Sequence, residues 1–452
     1  MRLRKTITTI VATAILLAGW QLFAVIANQP ELIPSLPRLV RTLCEWLVSG
    51  SFYQSVGATI LRGVLGMSIS FVCAIGMAGL FARFEWVYEL FRPLLAIMRS
   101  IPVISFILLA LIFLNPESIP LMIAFLTMFP LLTENLTRGI LDLRPGLSIM
   151  ARQFHIRRSN VLFQIIYPQL KPFLYSGLAS AAGFGWRAII MGEVLSQCAF
   201  GIGSEMKRAQ NFIAVPELLA WTIVAVFISF FFDKGISKVA DITPKISFAN
   251  EDQTIPTPTL SVLDTKDISY QYGIQHFSHS FQKGIIYGIS APSGKGKTTL
   301  LNLIGGILLP TEGEIHPTRH FGIATIFQQP KLLPHLTAEE NIILPLSSFL
   351  TEEKARRIAQ KHLQEMEMEP FGNRYPKELS YGQQQRIAIA RALAYPSPLL
   401  LMDEPFKGLD EALSHRIIER IREKQMKEER IILFTSHNPD EIRLLADEVI
   451  YL

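Results

Sequence analysis

The sequence has little cysteine and little charge, and its first half lacks the motifs of a soluble enzyme. Of 452 residues, three are cysteine and 18% are charged, whereas 50% are hydrophobic. Cys44, Cys73 and Cys198 show neither CxxC nor Cys/His spacing, which argues against a metal site and favours small apolar packing residues. The net charge of +5 comes largely from basic residues that flank apolar segments. We therefore expect no nucleic-acid partner, because such a partner needs basic residues clustered on a soluble face.

The hydrophobic residues are unevenly spread along the chain. Long apolar runs fill the first 240 residues, and charged, motif-bearing sequence follows residue 260. The stretch between them, "DITPKISFANEDQTIPTPT", lacks helical periodicity and ends in Thr/Pro alternation, which is typical of an extended linker. The length also indicates more than one domain. We predict an all-α polytopic membrane domain at 1–240, a linker at 241–259 and an α/β P-loop domain at 260–452.

Six segments of the first half are near the length that a membrane-spanning helix needs. They lie at about 6–27, 57–82, 98–114, 119–136, 173–196 and 217–233. The first follows "MRLRK" and resembles a signal peptide with Val25-Ile26-Ala27 at the cleavage site, but we expect it to be retained as a span. Six spans and a basic N-terminus predict a multi-pass protein of the cell (inner or cytoplasmic) membrane, with both termini and the second domain in the cytoplasm.

Two further features of the first half remain open at the level of sequence. Residues 137–172 are basic, with apolar residues at helical spacing, which fits either a surface helix on the membrane or a helix that docks on the soluble domain. Arg187 and Glu193 fall inside the fifth predicted span, where ionisable groups are costly and usually face the protein interior. We expect Glu193 to face the interior, and Arg187 remains undecided between the interior and the interface.

The stretch "SAPSGKGKTTL", residues 290–300, matches the phosphate-binding pattern G-x-x-x-x-G-K-[ST] except that Ala291 replaces the first glycine. A strand-like run precedes it and a helix-like run follows it, which is the context that this motif requires. Glycines let backbone N–H groups point at phosphates, the lysine reaches the β- and γ-phosphates, and the threonine binds Mg²⁺. Ala291 fits the loop if its φ is negative. The predicted nucleotide-binding residues of this loop are Ser293, Gly294, Gly296, Lys297, Thr298 and Thr299.

A second motif, "PLLLMDEP" at 398–405, is an apolar strand that ends in two acids. The end of a strand beside a phosphate loop is where a Mg²⁺-binding aspartate belongs. We predict that Asp403 binds Mg²⁺ together with Thr298, and that Glu404 polarises the attacking water.

The stretch "LSYGQQQRIAIARAL", residues 379–393, resembles the signature of the ATP-binding-cassette (ABC) ATPases, usually written LSGGQ. Tyr381 stands where that signature has glycine. Ser380, Gly382 and Gln383 precede or open a helix whose N-terminus can meet a γ-phosphate. In this family the phosphate belongs to ATP bound by the partner subunit, so the resemblance implies a dimer with a second copy of the chain.

Further motifs fit the same family in order, and the resemblance covers about residues 260–452. It implies that Tyr272, or alternatively Tyr270, stacks on adenine. It implies that Gln328 touches Mg²⁺ and senses the membrane domain, and that Asp410 lies in the loop that crosses the dimer interface. His437 fits the switch histidine on the γ-phosphate. The implied activity is ATP hydrolysis with ATP and Mg²⁺, with Glu404, His437 and Gln328 as the catalytic residues.

The direction of transport has indications on both sides. A membrane domain fused ahead of an ATPase is commoner among ABC exporters, so domain order favours export. The stretch "NRYPKELSYGQ" resembles importer ATPases instead, and the predicted spans lack the long cytoplasmic extensions of exporters. The expectation is therefore import, with export of a small or lipophilic compound as the alternative.

The membrane half carries a resemblance of its own, over about residues 55–235. Tyr167-Pro168, Pro172 and Gly177-Leu178 resemble the loop of binding-protein-dependent permeases, with His155 where that loop has glycine. The later "GWRAIIMGE…GIG" is similar to permeases of the nitrate/sulfonate/taurine group, which includes transporters of pyrimidine vitamin precursors. The resemblance implies import of such a small solute, delivered by a periplasmic or lipid-anchored binding protein to a homodimer in the lipid bilayer.

Overall fold

The structure is a computed structural model that describes residues 2–240, 244–253, 260–271, 273–292, 294–317 and 322–452. The chain divides into two compact units, Met1–Leu143 with Gln169–Thr243, and Arg144–Pro168 with Pro244–Leu452. The second unit therefore includes a short stretch from the middle of the membrane half. Each unit has its own core, and the two are described separately.

The first unit is helical, in agreement with the predicted fold class. Up to residue 240 the helices are α1 (Arg2–Ala27), α2 (Leu36–Trp46), α3 (Gly50–Arg83), α4 (Glu85–Ser100), α5 (Val103–Phe113), α6 (Ile119–Leu141), α7 (Pro145–Gln153), α8 (Arg158–Asn160), α9 (Tyr167–Ser196), α10 (Ile202–Asn211) and α11 (Val215–Ala240). A 3₁₀ turn at Pro116–Ser118 precedes α6, and a π-helical turn at Val161–Ile166 joins α8 to α9.

Within the described residues, four helical segments are long and apolar enough to cross a membrane. They are Gly50–Arg83, Pro116–Leu141, Arg158–Ser196 and Val215–Val239, and they contain four of the predicted spans. The apolar part of α1, Val11–Ala27, is shorter than these segments. Its assignment as a sixth span stays a prediction.

The predicted span at 98–114 is interrupted in the structure. The chain there forms two helices, α4 and α5, that meet at an angle of 94°, so that the pair amounts to at most a fifth, broken span. The break falls at Ile101 and Pro102, between the last residue of α4 and the first of α5. Proline lacks an N–H and disfavours helical backbone at the residue before it, which accounts for the break at this point.

Small residues bring α3 and α6 together. Ala74 and Ala78 of α3 are fully buried against Ala124 and Met128 of α6. At Gly66, a Cβ atom would lie 2.6 Å from the Cβ of Ala124, so only glycine allows this approach. In lipid, where apolar side chains gain nothing by leaving the solvent, close packing of small residues is what holds helices together.

A closed polar cluster joins α3, α9 and α10 around Glu193. The Glu193 carboxylate is fully buried and accepts hydrogen bonds from Thr59 Oγ1 (2.9 Å), Arg62 Nη1 (2.7 Å) and the Gly203 N–H (2.9 Å). Arg62 also donates to Glu117 Oε2 at 2.7 Å. The expectation that Glu193 faces the interior is confirmed, whereas the Arg187 side chain is exposed on the surface of this unit.

The second unit is α/β. Its strands are β1 (Val262–Tyr270), β2 (Ile274–Gln282), β3 (Ile286–Ser290), β4 (Glu312–His316), β5 (Ala324–Ile326), β6 (Leu399–Asp403), β7 (Ile431–Thr435) and β8 (Glu448–Tyr451). Its helices after residue 260 are α12 (Lys297–Ile304), α13 (Ala338–Leu346), α14 (Glu352–Glu365), α15 (Tyr381–Ala394), α16 (Glu411–Glu428) and α17 (Pro439–Leu445).

Two sheets organise this unit. The first is antiparallel, in the order β2-β1-β4, and the second is parallel, in the order β5-β6-β7-β3-β8. Every residue of β6 and β7 is buried, as expected of parallel strands that are covered on both faces. Because the strands are parallel, their carboxyl ends meet at one edge, where ligands of open α/β sheets bind.

Residues 144–168 pack into the core of this α/β unit. Leu147, Met150, Phe154 and Ile165 are buried in the same hydrophobic cluster as residues of β5, α13 and α15. Of the two interpretations that the sequence left open for this stretch, the structure supports the docking helix. The apolar face that the helical spacing of this stretch predicts therefore packs against protein.

Candidate functional site

Two glycines in the loop between β3 and α12 have a positive φ. Gly296 is the N-cap of α12 with φ of +91°, and a Cβ atom there would lie 2.6 Å from the Gly273 carbonyl oxygen. Gly294 has φ of +83°, which also favours glycine. Ala291 is not among the residues with positive φ, so alanine fits the position where the pattern has glycine. The predicted strand–loop–helix arrangement is therefore present.

Lys297, at the first turn of α12, is buried, and its Nζ donates to the Ala291 carbonyl oxygen at 2.6 Å. The ammonium thus lies over the loop whose amides would hold phosphates. A helix N-terminus and a lysine together form a strong anion site.

The next side chain, Thr298, contacts the carboxylate of Asp403, the last residue of the buried strand β6. Thr298 Oγ1 donates to Asp403 Oδ2 at 3.0 Å, and Thr435 Oγ1, from the end of β7, donates to Asp403 Oδ1 at 2.8 Å. Burial raises the pKa of Asp403, although both hydroxyl donors oppose the shift. A buried carboxylate held only by hydroxyl hydrogen bonds and the nearby charge of Lys297 is a favourable place for a cation.

Glu404 lies beside this pair in a strained backbone conformation, with φ of +48°. Its carboxylate is reached by Gln328 Nε2 at 3.2 Å, by His437 Nε2 at 3.1 Å and by Lys407 Nζ at 3.1 Å. Burial alone would raise the pKa of Glu404, but the hydrogen bonds from Lys407 and Gln328 and the neighbouring charges bring it below its usual value. The carboxylate is therefore ionised at neutral pH, as a general base must be.

The donor set at this edge suits Mg²⁺ held partly by a nucleotide. Thr298, Asp403 and Gln328 offer hydroxyl, carboxylate and amide oxygens, which are the ligands that Mg²⁺ prefers. The described residues contain no group of three or more His, Cys, Asp or Glu side chains able to hold a metal by themselves.

The signature stretch begins α15 with a capping box. Ser380 Oγ accepts from the Gln383 N–H, and Gln383 Oε1 accepts from the Ser380 N–H. A Cβ atom on Gly382 would lie 2.6 Å from the Gly408 carbonyl oxygen, so glycine is required there. Asp410 caps α16 by accepting from the Leu413 N–H at 2.9 Å. Gly408 and Asp410 follow Glu404 along the chain, in the turn-rich stretch before α16.

The structure brings together most of the predicted site residues. Thr298 contacts Asp403, and Gln328, His437 and Glu404 form one cluster. Thr299 is half-buried on α12. Tyr272 and Ser293 lie outside the described residues. Tyr270, the alternative to Tyr272, packs against the core of the β2-β1-β4 sheet.

Three contributing groups were not predicted. Lys407 stands three residues after Glu404, and this spacing in "EPFK" was the available signal. Thr435 donates to Asp403 and accepts from the Glu404 N–H, and only the neighbouring placement of β6 and β7 could indicate it. The Tyr381 hydroxyl donates to the Gln328 carbonyl oxygen, which no local pattern signals.

The docking segment, Arg144–Pro168, contacts the strand that leads to Gln328 and also the signature helix. Gln153 accepts from Thr325 Oγ1 of β5 (3.3 Å) and donates to the Gly305 carbonyl oxygen (2.7 Å). The guanidinium of Arg391, on α15, lies 5.4 Å from the centre of the Phe154 ring. One short segment therefore contacts both parts of the unit that border the candidate site.

The described part of the linker, residues 244–253, is bound to the same surface. Asn160 accepts from the Ser247 N–H, and its Nδ2 donates to the Ser247 carbonyl oxygen and to Ser347 Oγ, each at 2.8 Å. Asp252 accepts from the N–H and the hydroxyl of Thr351, the N-cap of α14. These residues lack helix and strand, as predicted, but they join the docking segment to the α/β unit.

Comparisons with known proteins agree with both halves of the chain. Residues 274–407 match the family described as ABC transporter, and residues 68–233 match the binding-protein-dependent transport system inner membrane component. An Fe(3+) ions import ATP-binding protein of Rhizobium etli is 35% identical over 189 residues, which are 40% of this chain and 54% of that protein.

Two shorter relatives are matched over most of their length. A thiamine import ATP-binding protein of Yersinia pseudotuberculosis is 34% identical over 205 residues, 42% of this chain and 86% of that protein. An uncharacterised ABC transporter ATP-binding protein of Methanocaldococcus jannaschii is 34% identical over 201 residues, 40% of this chain and 85% of that protein. By contrast, the chain spans about half the length of the first curated relatives it matches.

Proposed function

The chain belongs to the ABC transporter family, and on that premise we propose that it is a fused permease and ATPase that works as a homodimer to import a small solute. The family assignment rests on the relatives that it matches over more than four fifths of their length. The chain combines a permease-type part and a nucleotide-binding part in one multi-pass membrane protein. Its direction, solute, partners and orientation belong to the proposal.

The observation that carries the proposal is the position at which the docking segment contacts the α/β unit. Gln153 and Phe154, which come from between two membrane helices, contact β5 and α15 of the α/β unit. The first of these elements leads to Gln328, and the second begins at the signature. A change in nucleotide state at either element would therefore act on a segment that continues directly into α9, a membrane-spanning helix.

The chemistry proposed for the site follows from its geometry. The amides of the loop before α12 and the Lys297 ammonium bind the phosphates of ATP, and Thr298 and Asp403 provide oxygen ligands for Mg²⁺. When bound, Mg²⁺ neutralises charge on the phosphate oxygens. Glu404 takes a proton from the attacking water, and its depressed pKa keeps it ionised for this role. His437 and Gln328 orient the reacting groups.

Two ATP molecules would lie between two cassettes, each completed by Ser380, Gly382 and Gln383 of the other copy. In this arrangement Asp410 stands at the interface, and Tyr272, or Tyr270, stacks on adenine. Closure of the two cassettes would move the docking segments and turn the transport path inward. Both termini and the ATPase part would then face the cytoplasm, beneath the cell membrane.

Import is supported by the match of residues 68–233 to binding-protein-dependent components and by the named roles of the relatives. Those relatives are named for iron and thiamine, so the ATPase part does not identify a solute. A solute like nitrate, a sulfonate or taurine, or a pyrimidine vitamin precursor, follows from the resemblance in the membrane half. A periplasmic or lipid-anchored binding protein would deliver it. Export of a small or lipophilic compound is the alternative that domain order favours.

The first experiment is Glu404→Gln in the full chain, purified in lipid nanodiscs. We expect ATPase activity to fall about 10²- to 10⁴-fold, the usual contribution of a general base, while ATP binding is retained. Glu419→Gln on the exposed face of α16 is the matched control and should leave activity near that of the unmodified chain. Robust hydrolysis by the Glu404→Gln chain would overturn the assignment of the base.

Direction is tested separately with the same preparation. Stimulation of ATPase activity by a solute-loaded binding protein supports import. Stimulation by lipophilic compounds, with no response to any binding protein encoded beside the chain, supports export.

A further inference from the structure

Tyr381 stands where the family signature has glycine, and its side chain makes a contact that glycine could not make. Its hydroxyl donates to the backbone carbonyl oxygen of Gln328 at 2.7 Å. The side chain of the same Gln328 donates to Glu404 Oε1 at 3.2 Å. A chain of two hydrogen bonds thus runs from the first residue of α15 to the proposed general base.

The Tyr381 ring also packs on the turn that follows Glu404. Gly408 in this turn has φ of +79°, and a Cβ atom on it would lie 2.7 Å from Cδ1 of the tyrosine ring. The ring therefore occupies the space that a side chain at 408 would need. One turn further along α15, Gln385 Nε2 donates to the Pro405 carbonyl oxygen at 3.0 Å. The start of α15 and the Glu404–Gly408 turn are therefore joined at two places.

The physical chemistry of tyrosine suits a holding role. Its ring has two side-chain torsions, so it loses less entropy on fixing than a long flexible side chain does. A tyrosine hydroxyl keeps its proton at neutral pH, so it can donate this hydrogen bond. Phenylalanine would keep the ring on Gly408 and lose only the bond to Gln328.

We propose that Tyr381 is a positioning residue that acts within its own chain, holding Gln328 and the Glu404–Gly408 turn in place for hydrolysis. This inference deepens the proposed function and rests on it, since the signature helix is otherwise assigned to the ATP of the partner cassette. The tyrosine gives that helix a second attachment, to the catalytic carboxylate of its own chain. The alternative is that Tyr381 acts on the partner's nucleotide directly.

Mixed dimers separate these two roles. The two chains carry different affinity tags, and one of them always carries Glu404→Gln, so that a single site hydrolyses ATP. In the first dimer, Tyr381→Phe is placed on the chain with the intact Glu404. In the second dimer, Tyr381→Phe is placed on the chain with Glu404→Gln. Both dimers contain the same substitutions and differ only in their arrangement.

We expect kcat of the first dimer to be about two- to tenfold below that of the second, with KM for ATP changed less. The range is what loss of one neutral hydrogen bond gives. Equal rates in the two dimers, or a lower rate in the second, would overturn the proposal. Tyr451→Phe, at an exposed position of β8, is the control for removing a hydroxyl, and it should leave the two arrangements equal.

Amide hydrogen exchange provides a readout that does not depend on turnover. In the full chain without nucleotide, Tyr381→Phe should speed exchange of the segment that contains Gln328, whereas Tyr451→Phe should not. Unchanged exchange there would also contradict the holding role. If Glu404→Gln alone leaves hydrolysis intact, the assignment of the base in the proposed function has failed, and that outcome is distinct from equal rates in the two mixed dimers.

Discussion

Two glutamates, one in each unit, are held by cations in very different ways. Glu193 is a fully buried residue of α9, and the donors to its carboxylate include a backbone N–H and a mostly buried arginine. Glu404 lies in a strained turn, and two of its partners, Lys407 and His437, are each 52% exposed. The first carboxylate is enclosed by fixed donors, so it stabilises the fold. The second has partners that can move aside for a ligand, so it can take part in a reaction.

The largest effect that this comparison predicts is on the stability of the first unit. Glu193→Gln removes the buried charge partner of Arg62 and leaves only the ion pair with the half-exposed Glu117, so we expect a cost below the roughly 3–5 kcal/mol of a fully unpaired buried charge. We expect a clearly lower midpoint of thermal unfolding in detergent, whereas Glu404→Gln should leave the midpoint almost unchanged. Replacing Arg62 and Glu193 together by apolar residues should recover much of the loss, because no buried charge is then left unpaired. Equal midpoints for Glu193→Gln and the unmodified chain would contradict the structural role.

A smaller effect is predicted for the pH dependence of hydrolysis. Burial alone would raise the pKa of Glu404, but the hydrogen bonds from Lys407 and Gln328 hold it below its usual value. The base therefore stays ionised down to the acid end of the pH profile. Lys407→Met removes the cation and should raise that pKa. As pH falls, the base is then protonated earlier, and the acid limb of the ATPase profile moves to higher pH. Lys427→Met, at an exposed position of α16, is the control, and an unshifted limb in Lys407→Met would refute the coupling.

The smallest effect is predicted for Ala291→Gly. The φ of Ala291 is not positive, so glycine would relieve no backbone strain there. Glycine would raise the conformational entropy of the unfolded chain, which lowers the stability of the folded state by about 0.4–1 kcal/mol. We expect ATPase activity within about twofold of the unmodified chain. A severe loss in a kinetic assay would show that the methyl group supports the loop that carries Lys297.

The sequence predicted the local elements around Lys297 better than it predicted the course of the membrane helices. Phosphate loops, strand-end acids and the signature are local patterns, and the structure has the expected strand, loop and helix around Lys297. The bend at Pro102 was missed because hydropathy over 98–114 reports only length and composition, whereas the direction of α5 depends on packing. The burial of Glu193 was predicted correctly because an ionisable group inside an apolar span is costly unless it faces the protein interior or a water-filled cavity.

Other features needed contacts between distant parts of the chain. Thr435 donates to Asp403 because β7 lies beside β6, and no spacing in the sequence indicates that these two strands pair. The docking segment could not be assigned from its apolar spacing, because a membrane surface and a protein surface both accept such a face. Asn160 makes three hydrogen bonds to residues more than 80 positions away.

The sequence by itself determined the family, the division into a membrane part and an α/β part, and the types of residue at the nucleotide site. These depend on composition and on short motifs, in which each residue acts through its own chemistry and its nearest neighbours along the chain. Only the tertiary structure decided that residues 144–168 pack with the second unit, that Asn160 binds the linker, and that Tyr381 reaches Gln328. Those contacts depend on the directions in which distant side chains point once the strands and helices have packed, and no local pattern specifies them.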